Sequence, residues 1–160
     1  MSSDTPPPIA SLEKSIIANS SLAESGEARI SWARSHMPVL GRLRAEFERD
    51  QPLKGRRIGM CLHAEAKTAV LVETLVAGGA EVIWTGSPAT TDDGVAAAMA
   101  TRVGVRIYSI KADDMPAHHA HIERILASKP DLLLDNGADL IAGSVDGRGH
   151  RVVAATEETT

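Results

Sequence analysis

Gly59-Met-Cys-Leu-His-Ala-Glu-Ala-Lys-Thr-Ala-Val-Leu-Val-Glu-Thr-Leu-Val-Ala-Gly-Gly-Ala-Glu-Val82 decides the fold. The apolar run from Arg57 to Leu62 predicts a buried strand that stops at a polar residue, His63. Ala66–Ala77 carries a helical pattern that ends at Gly78-Gly79, and a second strand follows at Glu81–Thr85. A strand, a helix and a strand joined by short links form a right-handed parallel unit.

The same alternation continues outward. Helices are expected at Asp92–Arg102 and Pro116–Ser128, and strands at Arg106–Ser109 and Asp131–Leu134. This predicts an α/β fold, a doubly wound parallel sheet with N-terminal helices and strand order 3-2-1-4. The order reverses between the first and fourth strands, which end at His63 and at Asp135-Asn136. Open α/β sheets hold ligands at such a reversal, beyond the carboxyl ends of the strands. Topology alone therefore puts His63 and Asn136 beside one crevice.

Upstream, residues 1–8 are polar and proline-rich and are expected to form a disordered leader. Residues 9–50 read as N-terminal helices, with a short one over Ile9–Asn19. A stripe follows through Ile30, Ala33, Met37, Leu40, Leu43 and Phe47, with a break at Pro38. Residues 51–160 form the expected α/β domain. With 160 residues, the chain is long enough for one sizeable core. Trp32, Phe47, Trp84 and Tyr108 are the only aromatics, so that core must be aliphatic and alanine-rich.

A net charge of −4 leaves no electrostatic footprint for nucleic acid or an anionic membrane. No apolar run approaches the ~20 residues of a membrane span. The start, Met1 to Pro8, has no cationic segment leading into an apolar one, so it does not read as a secretory signal. Cys61 is the single cysteine and cannot form an internal disulfide, which fits a reducing cytoplasm.

Several residues are candidates for chemistry. His63 suits proton shuttling, or is a solvated strand-end histidine. Asp135-Asn136-Gly137-Ala138-Asp139 holds ligand hydroxyls, or is a turn. Thr91 or Asp92 caps a helix or meets a ligand. His118 and His121 share a helix face while His119 points elsewhere; without a carboxylate or cysteine to complete a metal set, the triplet reads as helix surface. Gly147-Arg-Gly149 lacks the third glycine and the strand–helix setting of a dinucleotide loop. Glu157-Glu-Thr-Thr160 reads, on its own, as a frayed polar terminus.

The motifs Gly26-Glu-Ala-Arg-Ile-Ser-Trp-Ala33, Met37-Pro-Val-Leu40, Pro52-Leu-Lys-Gly55, Leu62-His63, Thr68-Ala-Val-Leu71 and Gly79-Ala-Glu-Val82 occur in the order seen in S-adenosyl-L-homocysteine hydrolases. The chain resembles that family from Gly26 to Thr160. Its Glu65-Ala-Lys67 wording resembles the branch of archaea and some thermophilic bacteria. The resemblance implies a substrate domain of an NAD-dependent enzyme that reversibly splits S-adenosylhomocysteine into adenosine and homocysteine. Oxidation of the ribose 3′-hydroxyl acidifies the neighbouring carbon and permits loss of the thiol. By position, His63, Asn136 and Glu158 fall on catalytic residues. Leu62, Glu65, Lys67, Thr91, Asp92 and Asp135 fall on the nucleoside site, and Thr159 and Thr160 begin a run that contacts NAD. No metal is implied. The resemblance further implies a small nucleoside thioether as substrate, a homo-oligomer (dimer or tetramer) and an NAD-binding domain beyond Thr160.

Three departures accompany it. The chain ends inside the family's threonine motif. Asn136 stands where the family has a catalytic aspartate, and Asp92 where it usually has glutamine. Lys67 occupies a position where many members carry glutamate. A lysine donates to an oxygen acceptor, so a 6-oxo nucleoside such as inosine becomes an expected substrate base. Two alternatives stay open: a non-catalytic nucleoside-binding or regulatory relative, and a related NAD enzyme acting on another nucleoside.

Overall fold

In a computed structural model that describes residues 6–145 and 151–158, the chain folds around a five-stranded, wholly parallel sheet. Helices α1 (Ala23–Ser35) and α2 (Pro38–Asp50) precede β1 (Arg57–Cys61), α3 (Ala66–Ala77) and β2 (Glu81–Thr85). Then come α4 (Asp93–Met99), β3 (Val105–Ile107), α5 (Met115–Ala127), β4 (Leu132–Asp135), α6 (Asp139–Gly143) and β5 (Ala154–Glu157). The strand order is β3-β2-β1-β4-β5.

Alternation within the strands separates two apolar layers. Ile58 and Met60 of β1, with Val82 and Trp84 of β2, pack against the layer built by α1, α3 and α4. Cys61, Ile83 and Leu133 face the opposite layer, where Ile122, Ile125 and Leu126 of α5 and Leu140 of α6 close the core. The crossover from β3 to β4 carries α5 to that second face, and this change of face produces the reversal between β1 and β4. Trp84 is fully buried, and its indole N–H donates to the Leu62 carbonyl at 3.0 Å. That bond fixes the backbone one residue before His63.

The fold departs from expectation in three places. Residues 9–19 do not form a helix. Ile9–Ser11 is a single 3₁₀ turn, and Ile16 lies extended beside Tyr108, with its N–H on the Ile107 carbonyl and its own carbonyl accepting from Ser109. The segment covers an otherwise open β3 edge, so a long-range pairing overrides its weak helical pattern. The helical stripe does break at the expected place, with Pro38 opening α2 where its missing N–H costs nothing. His118 and His121 are buried rather than on the helix surface, because α5 turns that face onto α6 and the sheet. Finally, the supposed polar terminus Glu157–Thr160 opens on the last residue of an unforeseen strand, β5, paired with β4 from Leu132↔Ala154 to Asp135↔Glu157.

Of the leader, residues 1–5 lie outside the described residues, whereas the Pro7 carbonyl accepts from the buried Arg57 guanidinium at 2.6 Å. No helix among the described residues is long and apolar enough to cross a membrane.

Candidate active site

Register brings three separate parts of the sequence to one level. Cys61 pairs with Asp135, and Asp135 pairs with Glu157. The residues just beyond these pairs, His63, Asn136 and Glu158, therefore leave the sheet together at the carboxyl ends of β1, β4 and β5. The Asn136 side-chain amide nitrogen lies 3.2 Å from His63 Nε2 and 3.4 Å from Glu158 Oε2. On the other side of the ring, His63 Nδ1 is 2.7 Å from Thr90 Oγ1.

Thr90 ends a 3₁₀ turn, Pro88–Thr90, in the β2–α4 connection. That connection is held against the β1–α3 loop by the Asp92 N–H, which donates to the Ala64 carbonyl at 2.8 Å. Gly86 makes the approach feasible, since a Cβ there would sit 2.8 Å from the Ala64 nitrogen. Together these loops and α5 enclose a crevice of about 280 Å³ lined by Leu62, His63, Thr90, His118, Asn136 and Asp139, among others. His63 and Glu158 are exposed, while Cys61 and His118 are buried.

The turn that carries Asn136 is unusual. Gly137 and Ala138 both adopt positive φ, 98° and 62°. For alanine this left-handed conformation costs about 1–2 kcal/mol. The Glu157 carboxylate offsets it by accepting from the Gly137 and Ala138 N–H groups at 2.9 and 3.1 Å. Asp135 is turned inward, away from the crevice. Its two oxygens accept from the Asn136 and Ile141 backbones at 2.9 and 2.8 Å, which seats α6. Burial pushes the Asp135 carboxyl above the usual carboxylate range, against the lowering effect of those bonds. Burial, reinforced by Asp135, likewise pushes the Cys61 thiol well up, so the cysteine is no nucleophile at neutral pH. Desolvation lowers the His118 imidazole below its ordinary value.

The other residues singled out from sequence have separate places. Asp92 caps α4, accepting from Gly94 and Val95 at 2.9 and 3.1 Å, and pairs with Arg29 at 3.1 Å. Thr91 is buried, with its hydroxyl on Ser87 and Ser109. Glu65 and the exposed Lys67 do not line the His63 crevice. They border a shallow apolar recess of about 440 Å³ with Arg29 and the exposed Trp32. Leu62 belongs to the crevice. Glu65 is two residues from His63, so recess and crevice flank one loop at a separation of at most about 7 Å along the backbone. Thr159, Thr160 and Gly147-Arg-Gly149 lie outside the described residues.

Thr90 and Trp32 were missed as candidate site residues, and His118, weighed as a metal ligand, was set aside as helix surface. Thr90 follows the pattern of an ordinary loop threonine. Only Trp32, a large aromatic on a polar helix segment, carried a signal that could have been read.

These features define a parallel α/β domain with a histidine-centred crevice at the sheet's switch point. The sequence profile of S-adenosyl-L-homocysteine hydrolase matches residues 14–160. The chain belongs to that family. An S-inosyl-L-homocysteine hydrolase of Methanopyrus kandleri is 49% identical over 148 residues, covering 90% of this chain and 35% of the relative. The S-inosyl-L-homocysteine hydrolase of Methanosarcina mazei is 46% identical over 143 residues, covering 87% and 35%. The adenosylhomocysteinase of Aquifex aeolicus is 41% identical over 144 residues, covering 88% and 34%. The chain thus spans about a third of the length of the curated relatives it matches.

Proposed function

We propose that the chain is the substrate-domain portion of an enzyme that cleaves a nucleoside thioether of homocysteine, with a 6-oxo purine favoured over adenine. The observation that carries this reading is the crevice at the strand ends lined by His63 and Asn136, with the Glu158 carboxylate 3.4 Å from the Asn136 amide nitrogen. A histidine there moves a proton at the leaving sulfur or the attacking water, and Glu158 lies where ribose hydroxyls would be held.

The base preference rests on Lys67. An ammonium donates and cannot accept, so it matches the carbonyl oxygen of hypoxanthine and not the amino group of adenine. Lys67 is exposed at the recess next to Trp32, whose indole offers a face on which a purine can stack. The two archaeal relatives above carry S-inosyl-L-homocysteine in their names, and the Aquifex relative is called an adenosylhomocysteinase. The chain is nearer in sequence to the first pair.

Family membership implies NAD. The described residues do not form a dinucleotide site. The β1–α3 loop, Leu62–Glu65, has no glycine, and the β2–α4 loop has Gly86, which is packed against Ala64 and leaves no room for a pyrophosphate. NAD, a homo-oligomeric assembly and the cytoplasmic setting are thus parts of this reading that the remainder of the enzyme would supply. The domain limits 9–50 and 51–160 belong to it as well. Accordingly, the 160-residue chain alone should release no homocysteine from the thioether in the presence of NAD.

The deciding experiment compares kcat/KM for S-inosyl- and S-adenosylhomocysteine in the enzyme carrying this domain. A higher value for the inosyl compound, lost in Lys67→Glu, supports the reading. A strong adenosyl preference that survives Lys67→Glu removes the 6-oxo part, and no turnover of either removes the hydrolase part.

A further inference from the structure

The hydrogen bonds around His63 have only one consistent direction. The Thr90 hydroxyl contacts two groups: His63 Nδ1 at 2.7 Å and the Ser87 carbonyl at 3.3 Å. A carbonyl only accepts, so the single hydroxyl hydrogen goes to Ser87 and the oxygen's lone pair faces the ring. Nδ1 must then carry a hydrogen. On the far side, the Asn136 amide nitrogen lies between His63 Nε2 at 3.2 Å and Glu158 Oε2 at 3.4 Å. A carboxylate also only accepts, which orients the amide with its NH₂ toward both groups. The second hydrogen of that NH₂ is directed at Nε2, which must present a lone pair.

We infer that Asn136 fixes the resting state of His63 as a neutral ring protonated on Nδ1, with Nε2 free to take a proton. The donors run without conflict from Asn136 to the ring, from the ring to Thr90, and from Thr90 to Ser87. An aspartate at 136 reverses the first link. It accepts at Nε2, so the ring either moves its proton there and loses the Thr90 bond or holds both protons. Asn136 therefore acts through His63, as a positioning residue. Its replacement of the family's aspartate converts a site that can rest as an acid into one that rests as a base.

The consequence for chemistry rests on the proposed function. A hydroxyl or thiol that displaces the amide from Nε2 gives its proton to that nitrogen. The broken O–H or S–H bond leaves its electron pair on the attacking oxygen or sulfur, and Glu158 faces the resulting imidazolium through Asn136. The direction of the bonds themselves needs no substrate.

Long-range ¹H–¹⁵N correlation spectra of histidine-labelled protein, recorded well above pH 6.5, read the tautomer directly. The His63 signals are assigned by their loss in His63→Gln. The expected result is a pyrrole-type Nδ1 and a pyridine-type Nε2. In Asn136→Asp the Nε2 resonance should move to the protonated, pyrrole-type position, and in Thr90→Val the Nδ1 resonance should stay pyrrole-type, because the Asn136 N–H still occupies Nε2. A proton on Nε2 in the wild-type protein overturns the inference, as does an Nε2 resonance unchanged in Asn136→Asp. Should that variant not fold, the wild-type and Thr90→Val spectra decide. Because the spectra use no ligand, failure of the proposed hydrolase activity leaves this result standing. A wrong tautomer sinks the inference whatever the activity.

Discussion

Two cavities of this domain use charge in opposite ways. The larger, about 510 Å³, lies among α1, α2, α3 and the end of α4. There Glu73 is held by Arg34 at 2.8 Å, Arg44 at 3.3 Å and Arg102 at 3.2 Å, and Glu27 bonds Arg34 and Arg102 in turn. Glu73 and Glu27 are each shared between arginines, so a ligand would have to break existing ion pairs to enter. The crevice at the strand ends is about half that size, at 280 Å³. Its links through Asn136 are long, 3.2 and 3.4 Å, and its histidine and Glu158 face solvent. Ion pairing among the lining side chains, and not volume, distinguishes the clamp that holds helices together from the crevice.

The largest effect expected from that contrast is on turnover. In the enzyme carrying this domain, His63→Gln should lower kcat by roughly 10²–10⁴-fold, the usual contribution of a positioned acid/base group. Its urea midpoint should hardly move, because His63 is exposed. A loss of stability equal to the loss of activity would break the comparison. Asn136→Asp probes the same crevice from the other side of the ring. By holding a proton on His63 Nε2 it should lower kcat by about 10²-fold, at the low end of that range, and change KM less. An unchanged kcat would leave a hydrolase whose acid/base set does not include position 136.

Glu73→Gln tests the clamp. It keeps the shape but removes the anion that three guanidinium groups share, of which Arg34 and Arg102 retain Glu27. Removing one partner of a buried pair costs about 3–5 kcal/mol. The three arginines remain a third or more exposed at their side chains, so solvent screening reduces the expected loss to about 2 kcal/mol. Chemical denaturation measures it, and kcat should be unaffected. The smallest effect concerns His118, which desolvation holds below its ordinary value of about 6.5. The unfolded chain then binds the extra proton more readily, so stability is full above pH 6.5 and falls as pH drops through and below that value. His118→Phe should flatten this slope between pH 7 and 5.5, and an unchanged slope would assign it to other groups.

How much was legible follows from what each segment buries. The β1–α3–β2 unit was readable because its strands are buried on both faces and its helix on one, so hydrophobic period and glycine stop agree. β4 and the switch point followed for the same reason, and with them the pairing of His63 with Asn136. β5 was not readable. Ala154-Ala-Thr-Glu157 is an exposed edge strand with no apolar alternation, and it exists because β4 presents an unpaired row of N–H and C=O groups. The residues 9–19 were misread for a matching reason at the opposite edge.

The sequence alone determined the alternating elements, the parallel sheet, the point where its order reverses and the family to which the motifs belong. These follow from local periodicity and turn chemistry, which a linear text records. Tertiary structure alone decided that Thr90 and Asn136 take opposite sides of one imidazole, and that Asp135 spends its oxygens on the Asn136 and Ile141 backbone. It also placed Glu65 and Lys67 in a recess separate from the His63 crevice. Each of those outcomes depends on the direction of a hydrogen bond or the facing of a side chain between segments up to 73 residues apart, as with Asn136 and His63. Distances of that kind are fixed by strand register and loop packing, which no local pattern encodes.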